Sequence, residues 1–282
     1  MSEWGISGTT KLYALIGDPL DKARSPGLMN DFFIRQCIDA VCIPMNVPSG
    51  ALADFVAGAR SLTNLRGLLV TMPHKVQILN FVDHLHLTSA QIGSVNVVRL
   101  DEAGWTGATF DGVGCVQAMM DNAIDPRGKT VLLLGLGGAG QAIAFAVAER
   151  GARTIQLSDT DQDKARKLAM MLQSAYPGCT TGFGPANVSG FDILINATPL
   201  GMRDSDPLPV DPADLRPEIS VVDAVLHAAE TQLCRAARAI GCRVQDGAAM
   251  NRGQAVHAYR FLGFDYVPDT PPVEARSQQR RM

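Results

Sequence analysis

Two groups of residues in this 282-residue chain have types and spacing that could do chemistry. The first is "GLGGAG", which sets Gly135, Gly137 and Gly140 in G-x-G-x-x-G register around Gly138 and Ala139. An apolar, β-rich run, "TVLLLG", precedes it, and the helix-like "QAIAFAVAER" follows. In that setting the glycines serve a tight turn, a close approach of backbone to a pyrophosphate, and packing of helix on strand. N–H groups at the helix start would hold the phosphates. Asp159, 19 residues beyond Gly140, ends the strand-like "TIQLSD". A carboxylate there accepts from an adenosine ribose diol and repels a 2′-phosphate. The reading is a dinucleotide site for NAD in preference to NADP, with Asp161 and Asp163 as the acidic first turn of the next helix.

The second group lies in "GLLVTMPHK", where a strand meets Pro73 and then His74 and Lys75. A nicotinamide enzyme that oxidises an alcohol needs a group to manage the hydroxyl proton while hydride leaves the carbon. Lys75 stands where a strand ends, the usual place for site residues in an open α/β sheet, and Pro73 fixes the backbone ahead of it. A solvated surface lysine has the same pattern, so both readings stand at this point. No metal is expected: the five histidines show no ligand spacing, and His84 and His86 read as an exposed helix end. The six cysteines are scattered without a C-x-x-C pair and read as small buried thiols of a reducing compartment.

These groups sit on an alternation of strand-like and helix-like segments. "LYALIG", "LMNDFFIRQC", "AVCIPMNV", "ALADFVAGAR" and "GLLVTM" give a β-α-β-α order in the first half, and "TVLLLG", "TIQLSD", "FDILINAT" and "SVVDAV" follow at α/β intervals. The last helix is predicted from about Gly253 to Leu262, and the polar, proline-rich tail after Pro268 as a frayed end. The fold class is α/β in two domains. Residues 1–112 with 247–282 form an N-terminal α/β substrate domain, and residues 113–246 a Rossmann-type dinucleotide-binding domain. A formal charge of −3 gives no electrostatic footprint for nucleic acid. The longest apolar run, Val131 to Leu134, breaks at Gly135, far short of a membrane span, and no secretory signal is evident. The chain is read as cytoplasmic, with a small-molecule substrate, no nucleic-acid or membrane partner, and a homodimer allowed.

At "VTMPHK" the chain resembles the shikimate dehydrogenase family, whose members carry V-T-x-P-x-K. The likeness recurs in order. "SPGLMN" resembles S-P-x-x-H-N, "IGSVNVV" resembles G-A-V-N-T, and "GATFDGVG" resembles G-x-N-T-D-x-x-G. "NATPLGM" matches in full, while "VVDAVLHAAETQL" and "GAAMNRGQAVHAY" resemble the last two family segments. The resemblance implies an oxidoreductase of the shikimate or quinate type, associated with aromatic amino acid biosynthesis, working in a cleft between its domains. By position it makes Lys75 and Asp111 the catalytic pair, and gives Ser25, Thr71, Asn96 and Gln254 contacts to the substrate. It adds Thr198, Pro199, Leu200, Val225 and Gly247 to the cofactor-binding set. Asp111 also suits a helix N-cap.

The departures fall on one side of the substrate. The family grips a carboxylate with two serines and a tyrosine; Ala23 stands at the first serine position and Leu226 at the tyrosine position. Leu69 stands where the asparagine before V-T belongs, and Thr109-Phe110 replaces N-T. Arg24, His74 or Arg252 could compensate, though each also reads as a solvated surface charge. The substrate is therefore quinate or shikimate held differently, or a relative with a changed or missing carboxylate. Two other readings stay open: a nicotinamide- or metabolite-sensing member without turnover, and a dehydrogenase for folate one-carbon units.

Overall fold

The computed structural model describes residues 5–226 and 230–265, so the predicted frayed tail lies outside the described residues. The chain forms two compact units, one of residues 1–109 with 258–282 and the other of residues 110–257.

In the first unit the elements are β1 (Lys11–Gly17), α1 (Ser25–Arg35), β2 (Ala40–Asn46), α2 (Leu52–Ala59), β3 (Leu65–Val70), β4 (His84–Leu85), α3 (Leu87–Ile92), β5 (Val97–Asp101) and β6 (Gly104–Ala108). Their sheet runs β2-β1-β3-β5-β6-β4. β2, β1 and β3 are parallel, as continuous apolar strands covered on both faces should be. β5 then runs antiparallel to β3, and β6 antiparallel to β5. The chain thus leaves the carboxyl edge of β3 and returns to that edge at Ala108. Helix α1 opens on Ser25 with Pro26 in its first turn, where the missing N–H costs nothing. Asn30 ties α1 to β2: its amide donates to Cys42 O at 2.9 Å and its carbonyl accepts the Cys42 N–H at 2.7 Å. Ile16, Leu68, Ile78 and Val98, all fully buried, lie in the core on one face. On another, Tyr13, Phe32, Phe33, Tyr259 and Phe264 form an aromatic cluster with ring centroids 5.0–5.6 Å apart in its pairs Phe32–Tyr259 and Tyr13–Phe264. Each such pair contributes about 0.5–1.5 kcal/mol beyond its burial, enough to bind residues 258–264 to this unit.

His84 belongs to the short strand β4, which corrects the expected helix end there, while His86 is the N-cap residue of α3; both side chains are exposed. Five cysteines are buried free thiols, but Cys37 is exposed just past α1, with φ at 52°.

The second unit holds α4 (Asp111–Asp121), β7 (Thr130–Leu134), α5 (Gly138–Glu149), β8 (Thr154–Ser158), α6 (Gln162–Ala175), β9 (Thr180–Phe183), β10 (Ile193–Asn196), β11 (Ser220–Asp223), α7 (Gln232–Ile240), β12 (Arg243–Gln245) and most of α8 (Gly247–Phe261). Helix α8 starts earlier than the predicted Gly253. The sheet is wholly parallel in the order β12-β11-β10-β7-β8-β9. This is the doubly wound order whose direction reverses between β7 and β10, where such sheets hold ligands. Leu132, Leu194 and Val221, fully buried, lie in the core on one face of the central strands.

Candidate functional site

The glycine turn follows β7 at the reversal point. Gly135 has φ of +81°, which only glycine adopts without strain, and a Cβ there would lie 2.7 Å from Thr198 N, after β10. A Cβ on Gly140 would lie 1.9 Å from Gly135 O, so helix α5 starts as close to the turn as backbones allow. A Cβ on Gly137, by contrast, would meet nothing within 4 Å. The loop is tight against protein on two glycines and open on the third, exposed one, which is the cradle a pyrophosphate needs. Gly138, Ala139 and Gly140 form the first turn of α5, next to that opening. The expected cofactor residues of this unit therefore fit a dinucleotide. Val225 and Gly247 also meet: a Cβ on Gly247 would lie 2.3 Å from Val225 O.

Asp159 stands at the expected edge but is engaged by the backbone. One carboxylate oxygen accepts the Leu136 N–H at 2.7 Å, and the other accepts the Asp161 N–H at 3.0 Å. Partial burial pushes its carboxyl up; the Asp161 and Leu136 N–H groups, with Lys164 nearby, outweigh that and hold it below the usual range. Asp161 caps α6 by accepting the Lys164 N–H at 3.0 Å, and Asp163 pairs with Arg166 at 2.7 Å, the helix-start roles predicted for both.

In the first unit the carboxyl edge of β3 gathers Thr71, Lys75 and Asn96. Thr71 N–H donates to Ile16 O at 2.9 Å, Val70 N–H to Asn96 O at 2.7 Å, and Val95 N–H to Lys75 O at 2.8 Å. Three backbone bonds thus fix three expected site residues beside one strand end. Lys75 and Ser25 are half-buried and Asn96 is buried. His74 is not a solvated charge: it is fully buried, with Nε2 2.6 Å from Val47 O at the end of β2. Arg24 and Arg252 are exposed. Leu69 is buried in β3 between Leu15 and Val97, and Ala23 is half-buried beside Ser25. Thr109 is taken up by a buried hydroxyl cluster, its N–H donating to Ser89 Oγ at 2.7 Å and its hydroxyl 3.5 Å from Ser94 Oγ.

Asp111 and Gln254 belong to the second unit. The N-cap expected of Asp111 is corrected: Phe110 is the cap residue, and Asp111 is the first helical residue of α4, 1% exposed. A carboxylate in the first turn is favoured by the helix N-terminus without capping it. Two glycines, Gly112 and Gly114, seat this turn. A Cβ on Gly112 would lie 2.1 Å from Ala142 O of α5, and one on Gly114 2.5 Å from Gln254 N of α8. Phe110 stacks on His257 one turn beyond Gln254, with centroids 6.2 Å apart. Sequence reading missed these packing roles; the visible signal was the pair of glycines in "DGVG", inside a helix where glycine is otherwise unfavourable. Among the described residues no group of three or more His, Cys, Asp or Glu could hold a metal, and no helix is long and apolar enough to cross a membrane.

A six-stranded mixed sheet and a doubly wound parallel sheet with this glycine cradle define a two-unit α/β protein with a Rossmann-type half. The profile of the shikimate dehydrogenase substrate binding domain matches residues 15–98. The chain is 36% identical to a shikimate dehydrogenase (NADP(+)) of Rubrobacter xylanophilus over 274 residues, covering 94% of this chain and 95% of that one. The chain belongs to the shikimate dehydrogenase family. Among solved structures it is similar to shikimate 5-dehydrogenase of Listeria monocytogenes in complex with shikimate and NAD (TM-score 0.81, 30% identity, 93% and 95% of the two chains covered). It is also similar to ligand-free 5-ketofructose reductase of a Gluconobacter strain (TM-score 0.78, 27% identity, 98% and 100% covered). The curated relatives correct the expectation of NAD over NADP, since those 32–36% identical are named for NADP(+).

Proposed function

We propose that this protein transfers hydride between a nicotinamide dinucleotide and a secondary alcohol of a polyhydroxylated ring of the shikimate or quinate kind, with Lys75 and Asp111 sharing the proton. The observation that carries the reading is the fixing of the Lys75, Thr71 and Asn96 backbone at one strand end. The dinucleotide, when bound, supplies the hydride acceptor or donor. In this reading Lys75 donates its proton to the carbonyl oxygen during reduction and takes it back during oxidation. Thr71, Asn96, Ser25 and Gln254 orient the ring hydroxyls. The names of the curated relatives support NADP as the cofactor, and Lys164 on the first turn of α6 is the cation placed to meet a 2′-phosphate beside Asp159.

A second reading of the substrate has its own support. Ala23 and Leu226 stand where the family holds a carboxylate, Leu69 where it has an asparagine, and each lost charge-assisted hydrogen bond is worth about 1.5–3 kcal/mol. Losing two or three weakens a carboxylate-bearing ring by roughly 10³-fold. The likeness to a protein named 5-ketofructose reductase supports an uncharged polyhydroxy ketone as the alternative. The deciding experiment supplies NADP or NAD with shikimate, quinate and carboxylate-free cyclic polyols, and the reduced cofactors with ketohexoses. Turnover on shikimate at least as good as on every neutral polyol removes the second reading. Lack of turnover on all of them, with cofactor binding intact, replaces the enzyme by a sensing member of the family.

A further inference from the structure

Asp223 ends β11 at the carboxyl edge of the second sheet and is completely buried. Its Oδ1 accepts from Asn196 Nδ2 at 3.0 Å and from the Val225 N–H at 3.1 Å. Its Oδ2 accepts the Thr231 hydroxyl at 2.6 Å and lies 3.8 Å from Cys234 Sγ. These four partners are neutral. A buried carboxylate balanced by dipoles alone is costly, and an apolar residue there would spare that cost. What the arrangement does is visible one bond further out. Asn196, also fully buried, uses its Oδ1 to accept the Thr198 N–H at 3.1 Å and the Thr198 hydroxyl at 2.7 Å. Its Nδ2 also donates to Leu200 O at 3.2 Å, and Thr198 Oγ1 accepts the Leu200 N–H at 3.1 Å. One carboxylate therefore fixes the loop after β10 through Asn196 and the loop after β11 through Val225, and Thr231 anchors it from the start of α7.

We propose that Asp223 is a positioning residue for the cofactor: it locks the Thr198–Leu200 loop and Val225 into one preformed wall, with Asn196 as relay and Thr231 as anchor. This rests on the reading that these two loops face the dinucleotide. Neither Asp223 nor Thr231 touches the reacting atoms, so their loss acts on cofactor affinity rather than on the chemical step.

The test measures binding of reduced cofactor by its fluorescence, together with steady-state kinetics, in parent, Asp223→Asn, Thr231→Val and Thr231→Ser proteins. Asp223→Asn and Thr231→Val should each raise cofactor Kd and KM about tenfold, the effect of one or two mispositioned hydrogen bonds. The KM for the alcohol, and kcat at saturating cofactor, should hold. Thr231→Ser, which restores the hydroxyl, should return most of the affinity. A fall in thermal stability with cofactor Kd unchanged overturns the proposal, because a merely structural carboxylate would give that result. If Asp223→Asn does not fold, Thr231→Val decides by the same criterion. A parent protein that binds no nicotinamide dinucleotide refutes the underlying reading instead, which keeps the two failures apart.

Discussion

At Asp159 one carboxylate oxygen accepts the Leu136 N–H, in the turn that cradles the cofactor, and the other the Asp161 N–H, so protonation would weaken the hold on that turn. Its carboxyl is held below the usual range in the folded chain. The stabilisation is therefore fully present above the unfolded value near 4 and is lost as pH falls through the lower folded value. The Asp159 contribution to the turn should be lost below about pH 4, seen as an added acid step in cofactor affinity, and Asp159→Asn should blunt that step. A cofactor titration across pH checks both. Lys75→Ala should cut kcat by about 10²–10⁴-fold, the span of a lost general acid, with cofactor Kd unchanged. Lys75 was legible because a strand, a proline and a lysine stand in immediate succession. Asp223 was not, since a buried carboxylate is recognised by what converges on it, and Asn196 and Thr231 lie 27 and 8 residues away.

At the scale of elements, helix α4 shows how glycine sets a position. Gly114→Ala would drive a methyl to within 2.5 Å of the Gln254 backbone, and backbone cannot swing aside as a side chain does. The change should cost about 1–3 kcal/mol in thermal unfolding and raise the KM for the alcohol substrate. Gly58, exposed within α2, has nothing within 4 Å of its absent Cβ. Gly58→Ala should stabilise the protein by about 0.5–1 kcal/mol through helix propensity. Strand-helix alternation was readable because apolar runs such as "TVLLLG" bury both faces. The β5–β6 hairpin was not read: its motifs, "IGSVNVV" and "GATFDGVG", drew attention as motifs rather than as strands. That hairpin explains why Asn96 precedes its strand. In an antiparallel strand, the residue at the sheet's functional edge comes before the first pairing position.

For the whole molecule, the division into units sorts the proposed residues. Ser25, Thr71, Lys75 and Asn96 fall in the first unit, whereas Asp111, Gln254 and every proposed cofactor residue fall in residues 110–257. Cofactor alone, at about 100 times its Kd, should add about 2.7 kcal/mol to stability. Hydrogen exchange should slow first around residues 135–140, 198–200 and 223–225, and little between residues 11 and 70. Uniform protection of both units would contradict that assignment. Sequence alone revealed the doubly wound half through its glycine turn. The sequence reading returns residues 247–282 to the first domain; in the structure residues 258–264 join the first unit through an aromatic cluster drawn from β1, α1 and the end of α8, a detail that no local sequence pattern spells out.

Cys37 offers a practical handle. As the single exposed thiol of six, it can take one maleimide dye or surface tether without any mutation, and the label would report on the first unit, whereas the glycine cradle belongs to the second. The same left-handed φ of 52° that a cysteine tolerates poorly means that Cys37→Gly should make a protein both harder to oxidise and slower to unfold.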